Sequence, residues 1–209
     1  MSGSTGYQKK VRILQLNLAK EISHGICVSN LACRIAREMR FPEATCHELA
    51  VAGLLHDVGK LELEKYLYGR ENDTLMIEEL KYVRMHAYLS AKIMEKCGYP
   101  SYMVEWVYCH HENCDGSGYP RNLTREDIPL EAKIIRVCDV FAALTSDRPY
   151  RAAFDVDTAV ELMIEEIKNY DVEVFLAFLR VIHEDSLKNI LDDGSVQLQL
   201  EQFLTPEEI

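Results

Sequence analysis

Apolar and polar positions along the chain repeat mostly at helical spacing. His24, Val28, Leu31, Ile35 and Met39 recur at steps of four, three, four and four, which predicts one face of a helix. Phe41-Pro42 breaks this row, and Pro42 suits the first turn of a following helix, whose inner face carries Leu49, Ala52 and His56. Residues 61–73 (LELEKYLYGREND) are polar and contain a glycine, so a loop is expected there. Residues 74–96 read as a long helix with Leu80, Val83, Ala87 and Met94 on its apolar side. His86 falls in a neighbouring row with Tyr82, Leu89 and Ile93.

A helix over 101–112 runs into CDGSGYP, a glycine-rich loop that Pro129 closes. Residues 131–144 are apolar almost all round, the pattern of a buried central helix. Asp155 and Asp157 offer N-caps for a helix through 167, and Asp171 opens another that reaches about 187. After Asp192-Asp193-Gly194, Val196, Leu198 and Leu200 alternate with Gln197, Gln199 and Glu201, which predicts a short strand. No repeat or low-complexity tract interrupts the pattern. The expected fold is an all-α helical bundle over 20–187, with a lead-in over 1–19 and a short extended tail over 188–209.

Composition narrows the partners. With 209 residues, 48% apolar and 27% charged, the chain is long enough for a substantial core and has ordinary globular balance. Lys and Arg number 23 against 34 Asp and Glu, a net charge of −11, which argues against DNA, RNA and anionic membranes as partners. No run approaches the ~18 apolar residues of a membrane span. Residues 1–10 lack the apolar core of a secretory signal. The seven cysteines include no CxxC pair and sit mostly in apolar runs, as buried reduced thiols do. A cytoplasmic location is expected.

Histidine placement changes this picture. His56 and Asp57 are adjacent at a helix end, His110 and His111 are adjacent at another, and His24 and His86 lie on apolar rows. Asp139 sits inside RVCDVFAAL, the most apolar helix, where a carboxylate needs a partner such as Arg136 or a metal ion. Each residue alone is more often structural. Together they are several imidazoles and two carboxylates on inward faces of separate helices, and bundles build metal sites in that way. Such ligands suit Fe, Mn, Zn or Co better than Ca or Mg. His47 and His183 stand outside these groups and read as structural or surface residues, and Trp106 as core.

The segments LLHDVGK, HHENCDGSGYP and IIRVCDVFAALTSDRPYR resemble the HD-GYP branch of the HD phosphohydrolase superfamily over residues 20–180. The resemblance implies a cyclic di-GMP phosphodiesterase. It implies His24, His56, Asp57 and Asp139 as ligands of one divalent ion, Fe or Mn foremost, and His86, His110 and His111 as ligands of a second, with Asp57 bridging. A hydroxide between the ions would open the cyclic dinucleotide to linear pGpG, and a second cut to GMP would follow the family. Lys60, Arg148 and Arg151 would contact phosphate, and Gly118, Tyr119 and Pro120 would line the substrate pocket. Lys60 or a water would protonate the leaving oxygen. Some family members bind a third ion through a Glu four residues before the first His. That position is Lys20 here, and Glu21 lies about 100° around the helix, so two ions are expected rather than three. The chain also departs from the family at Asn113 and Cys114, and NYDVEVF keeps only Asp171 of a usual Phe-Asp-Pro segment. Another cyclic dinucleotide such as cyclic GMP-AMP is an alternative substrate. A non-catalytic module that binds the nucleotide, or a diguanylate cyclase partner, is an alternative of a different class.

Overall fold

The computed structural model describes residues 18–67, 75–147 and 151–183, with side chains for all of these except 64–67 and 75–83. Among them are eight α-helices and one short 3-10 turn: α1 Leu18–Glu38, α2 Glu43–Leu55, α3 Lys60–Leu67, α4 Leu75–Lys96, α5 Ser101–Tyr108, α6 Leu130–Leu144, α7 Val156–Glu165, the turn Ile167–Asn169, and α8 Val172–His183. The all-α expectation holds. The predicted strand at 196–200 and most of the lead-in lie outside the described residues. No helix among the described residues is long and apolar enough to cross a membrane.

The first periodic row becomes the inner face of α1, where His24, Val28, Leu31 and Ile35 are buried. The helix stops when Arg40 adopts a left-handed conformation (φ 63°) and the Phe41 amide turns back to the Ala36 carbonyl at 3.0 Å. Pro42 then stands at the N-cap of α2 rather than within its first turn. Cys46, Leu49 and Ala52 of α2 pack inward on α1. On α4, Ala87 and Met94 of the expected inner row are buried, while Leu80 and Val83 fall among the side chains not described.

Helix α6 is the central element. It packs against α1, α2, α5, α7 and α8, and its Ile134, Ile135, Val137, Cys138, Phe141 and Ala142 are buried. The Phe141 and Phe178 rings meet edge to face at 5.1 Å, which ties α6 to α8. Asp155 caps α7 by accepting from the Thr158 amide, as its position predicts, and Asp157 is not needed for that role.

Two elements differ from expectation. Residues 60–67 are helical where a loop was expected. LELEKYL is rich in strong helix formers, and Leu63 is its one described side chain that is buried; packing on α4 selects a helix that no apolar row announces. Helix α5 ends at Tyr108 instead of near 112. Cys109 leaves helical geometry (φ −96°, ψ 3°), and the Glu112 amide bonds the Cys109 carbonyl at 2.9 Å in a tight turn. That turn aims His110 and His111 at the same interior.

Candidate metal centre

Three helices and two turns deliver the candidate ligands. His24 comes from the inner row of α1, His86 from α4 and Asp139 from α6, while His56-Asp57 follows α2 and His110-His111 follows α5. Two rings are oriented from behind: His56 Nδ1 meets the Gly53 carbonyl at 2.7 Å, and His110 Nδ1 meets the Val107 carbonyl at 2.5 Å. Each Nδ1 must therefore carry the proton, leaving the Nε2 lone pair facing inward.

The donors fall into two groups. In the first, His24 Nε2 lies 3.1 Å from Asp139 Oδ1 and 3.7 Å from Asp57 Oδ2. His56 Nε2 lies 3.2 Å from Asp57 Oδ2 and 3.5 Å from Asp139 Oδ1. In the second, His86 Nε2 is 3.2 Å from His110 Nε2 and 2.9 Å from His111 Nε2. Asp57 stands between them, because its other oxygen, Oδ1, lies 3.2 Å from His86 Nε2. Within each group the donor atoms lie within 4.8 Å of one another. His56 Nε2 and Asp57 Oδ1 are buried with no hydrogen-bond partner, an arrangement that is costly unless a cation takes the lone pairs. Clustered imidazoles and carboxylates with such atoms fit divalent transition-metal ions.

Asp139 therefore takes His24 and His56 as partners and not Arg136, the alternative its position suggested. Arg136 instead donates to Asn113 Oδ1 at 3.1 Å and lies 3.4 Å from His111 Nδ1.

Electrostatics separate the two groups. Burial opposes charge on His56, but Asp57 and Asp139 prevail and push it up to about 10. Burial would raise both carboxylates, yet their histidine neighbours, with Lys60 beside Asp57, hold them well below the usual range. Burial and neighbouring rings hold His110 far below 6.5, and burial takes His111 down to about 3. With chelator present, the raised His56 favours the fold fully below pH 6.5 and progressively less as pH climbs towards 10. The depressed His110 and His111 favour it above pH 6.5 and penalise it as pH falls. The chelated chain is expected to melt highest near pH 6.5, with Tm falling on both sides. Metal competes with the His56 proton, so metal loading should remove the alkaline decline. Thermal melts between about pH 5 and 9, with and without chelator, check this, and a flat profile in chelator contradicts it.

At the rim, Lys60 Nζ pairs with Asp57 Oδ2 at 2.5 Å and Glu21 Oε2 at 3.2 Å. Glu21, set aside on the sequence, precedes His24 by three residues and so shares its side of α1. It reaches the centre through Lys60, and neither donor group includes it.

The loop after α5 is held by a residue that sequence reasoning left without a role. Glu112 is buried, and its carboxylate accepts from the Arg121 amide at 2.6 Å and the Leu123 amide at 2.9 Å. The signal was a carboxylate directly after two ligands. The clamp returns Tyr119 to the centre: its amide bonds the His111 carbonyl at 3.1 Å and its ring stacks on the His111 ring at 4.7 Å. The Tyr119-Pro120 peptide is cis. Gly116 needs its freedom, with φ 80°, whereas Gly118 is required for space, because a Cβ there would lie 2.5 Å from Glu112 Cα.

Two expected phosphate contacts remain. Arg148 lies outside the described residues. Arg151 donates to the Leu144 carbonyl at 3.0 Å and the Ala143 carbonyl at 2.9 Å, and it lies over the Phe154 ring. It closes the C-terminal end of α6, and a phosphate would have to displace those carbonyls.

Comparison with known proteins agrees with this geometry. A family model described as HD domain matches residues 9–174. A cyclic di-GMP phosphodiesterase of Pseudomonas aeruginosa is 34% identical over 190 residues, covering 88% of this chain and 46% of that protein. A 3′3′-cGAMP-specific phosphodiesterase of Vibrio cholerae is 34% identical over 165 residues, covering 78% of this chain and 34% of that protein. The chain thus spans less than half the length of these curated relatives. Among solved structures, an HDG"Y"P protein from Bdellovibrio bacteriovorus superposes with a TM-score of 0.62 at 20% identity, over 79% of this chain and 53% of that one. A cyclic GMP-AMP specific phosphodiesterase of V. cholerae gives 0.64 at 16% identity, over 93% and 54%. The chain belongs to the HD domain family, and its HHENCDGSGYP segment places it in the HD-GYP branch.

Proposed function

We propose that this chain is a metal-dependent phosphodiesterase that opens cyclic di-GMP to linear pGpG and can cut further to GMP. The observation that carries the reading is Asp57, with one oxygen towards His24 and His56 and the other towards His86. His24, His56, Asp57 and Asp139 would hold one divalent ion, and His86, His110 and His111 a second, with Fe and Mn the foremost candidates. When bound, such an ion pair supplies Lewis acidity to phosphoryl oxygens and lowers the pKa of an attacking water.

The chain's own groups do the rest. His56 and His110 are locked by backbone carbonyls, so the ligand cage costs little reorganisation. Lys60 sits beside Asp57 with its charge shared between two carboxylates, placed to donate to a phosphate oxygen or to the departing 3′ oxygen. Tyr119 offers a ring face beside His111. The catalytic unit is residues 20–187, in the cytoplasm, and a diguanylate cyclase is the protein partner to seek. The similarity to a 3′3′-cGAMP-specific relative makes cyclic GMP-AMP the second substrate to test.

The experiment is anaerobic purification with Mn or Fe, metal analysis, and product analysis on cyclic di-GMP and cyclic GMP-AMP. Linear product is the expected result. No linear product from protein with both sites filled would overturn the reading, and binding without turnover would identify a receptor module instead.

A further inference from the structure

Arg84 lies outside every motif. It is exposed on α4, two residues before His86, and its guanidinium lies over the Tyr119 ring with Cζ 5.2 Å from the centroid. Tyr119 in turn stacks on His111. The Arg84 cation is thus one aromatic ring away from a metal ligand. Arg37, Arg121, Arg125 and Arg180 are each paired with a carboxylate, and Arg136 and Arg151 are engaged by Asn113 and by helix carbonyls. Among the described residues Arg84 has no carboxylate partner, although the chain carries a net charge of −11.

We propose that Arg84 reads a guanine base of the substrate, with Tyr119 as the platform that holds its guanidinium. The inference rests on the cyclic-dinucleotide reading above and goes further, to how one base is preferred over another. The metal ligands and Lys60 address phosphate, which every cyclic dinucleotide shares, so base choice needs a group beyond them. A guanidinium whose contact is with a ring rather than with a hydrogen-bond acceptor keeps its fork of N–H donors for a ligand. Those donors match the two adjacent acceptors of guanine, O6 and N7, whereas adenine presents an acceptor beside a donor. The platform is firm, because Glu112 clamps the loop and the Tyr119 amide is bonded to His111.

The test uses the Mn-loaded full chain with three substrates: cyclic di-GMP, cyclic di-AMP and the base-free diester bis(p-nitrophenyl) phosphate. In R84Q, the preference in kcat/KM for cyclic di-GMP over cyclic di-AMP is expected to fall by roughly tenfold or more, mainly through KM, with the base-free diester turned over as in the wild type. R84K should lose the preference as well, because a single ammonium cannot replace a fork. An unchanged preference in R84Q, full preference in R84K, or a parallel loss on the base-free diester would each overturn the inference while leaving the proposed function standing. A wild type that turns over neither cyclic dinucleotide would overturn the substrate reading and this inference with it.

Discussion

Asp57→Asn is expected to lower turnover by at least about 10³-fold, the ~4 kcal/mol that removal of one strong electrostatic stabiliser of a transition state costs. The substitution keeps the side chain's shape but replaces a symmetric anion with one carbonyl and one amide. Asp57 Oδ2 faces His24 and His56, and Oδ1 faces His86. Whichever way the amide turns, an N–H₂ group points at one of the two donor groups, where it cannot ligate. Lys60 also loses the nearer of its two carboxylates. Metal analysis should therefore report at most one ion per chain, alongside the loss of product. A variant that retains both ions and full turnover would contradict the bridging role.

Gly118→Ala is expected to cost about 3 kcal/mol of stability, which for a chain of this size is a fall of roughly 6–12 °C in Tm. The added Cβ would sit 2.5 Å from Glu112 Cα and 2.6 Å from its carbonyl carbon. Both atoms are backbone, held in place by the turn that presents His110 and His111, so neither can move aside cheaply. Relief must come from displacing the loop, which breaks the Tyr119 amide bond to His111 and the ring stack on it. Occupancy at the three-histidine group should drop together with Tm. Gly116→Ala is the control. Its φ of 80° is strained for alanine, but the nearest atom to its Cβ is Thr124 Cγ2 at 3.7 Å, so a loss of about 1 kcal/mol is expected. Paired melts of the two variants check the difference, and equal losses would contradict the steric account.

The two clusters of candidate ligands were legible in the sequence because their histidines and carboxylates fall together in a few segments. A His-Asp pair at a helix end, a His-His pair before a glycine-rich loop and an Asp inside RVCDVFAAL are each unremarkable alone, and it is their joint placement on separate helices that points to a metal site. What escaped has a physical reason in each case. Helix α3 is selected by packing against α4, and Leu63 alone is too little apolar signal to announce it. Glu112 bonds the backbone amides of Arg121 and Leu123, and an amide has the same donor whatever side chain it carries, so the clamp writes nothing into its partners' identities. Glu21 lies outside both donor groups, and its contact with Lys60 joins residues 39 positions apart, which helical spacing does not address. Arg84 meets Tyr119 across two segments of chain whose closeness only the fold reveals.

The two donor groups also differ in how much chain must exist before each can close. His86 and His111 are 25 residues apart, and α4 and α5 between them pack on each other. His24 and Asp139 are 115 residues apart and meet only once α6 lies against α1. On a ribosome releasing the chain from its N-terminus, the three imidazoles become available one helix before the second carboxylate does. Closing the longer loop also carries the larger entropic cost, so it is the later event in time as well as in sequence. The nascent chain thus offers a nitrogen-only cage first and a carboxylate-rich one afterwards.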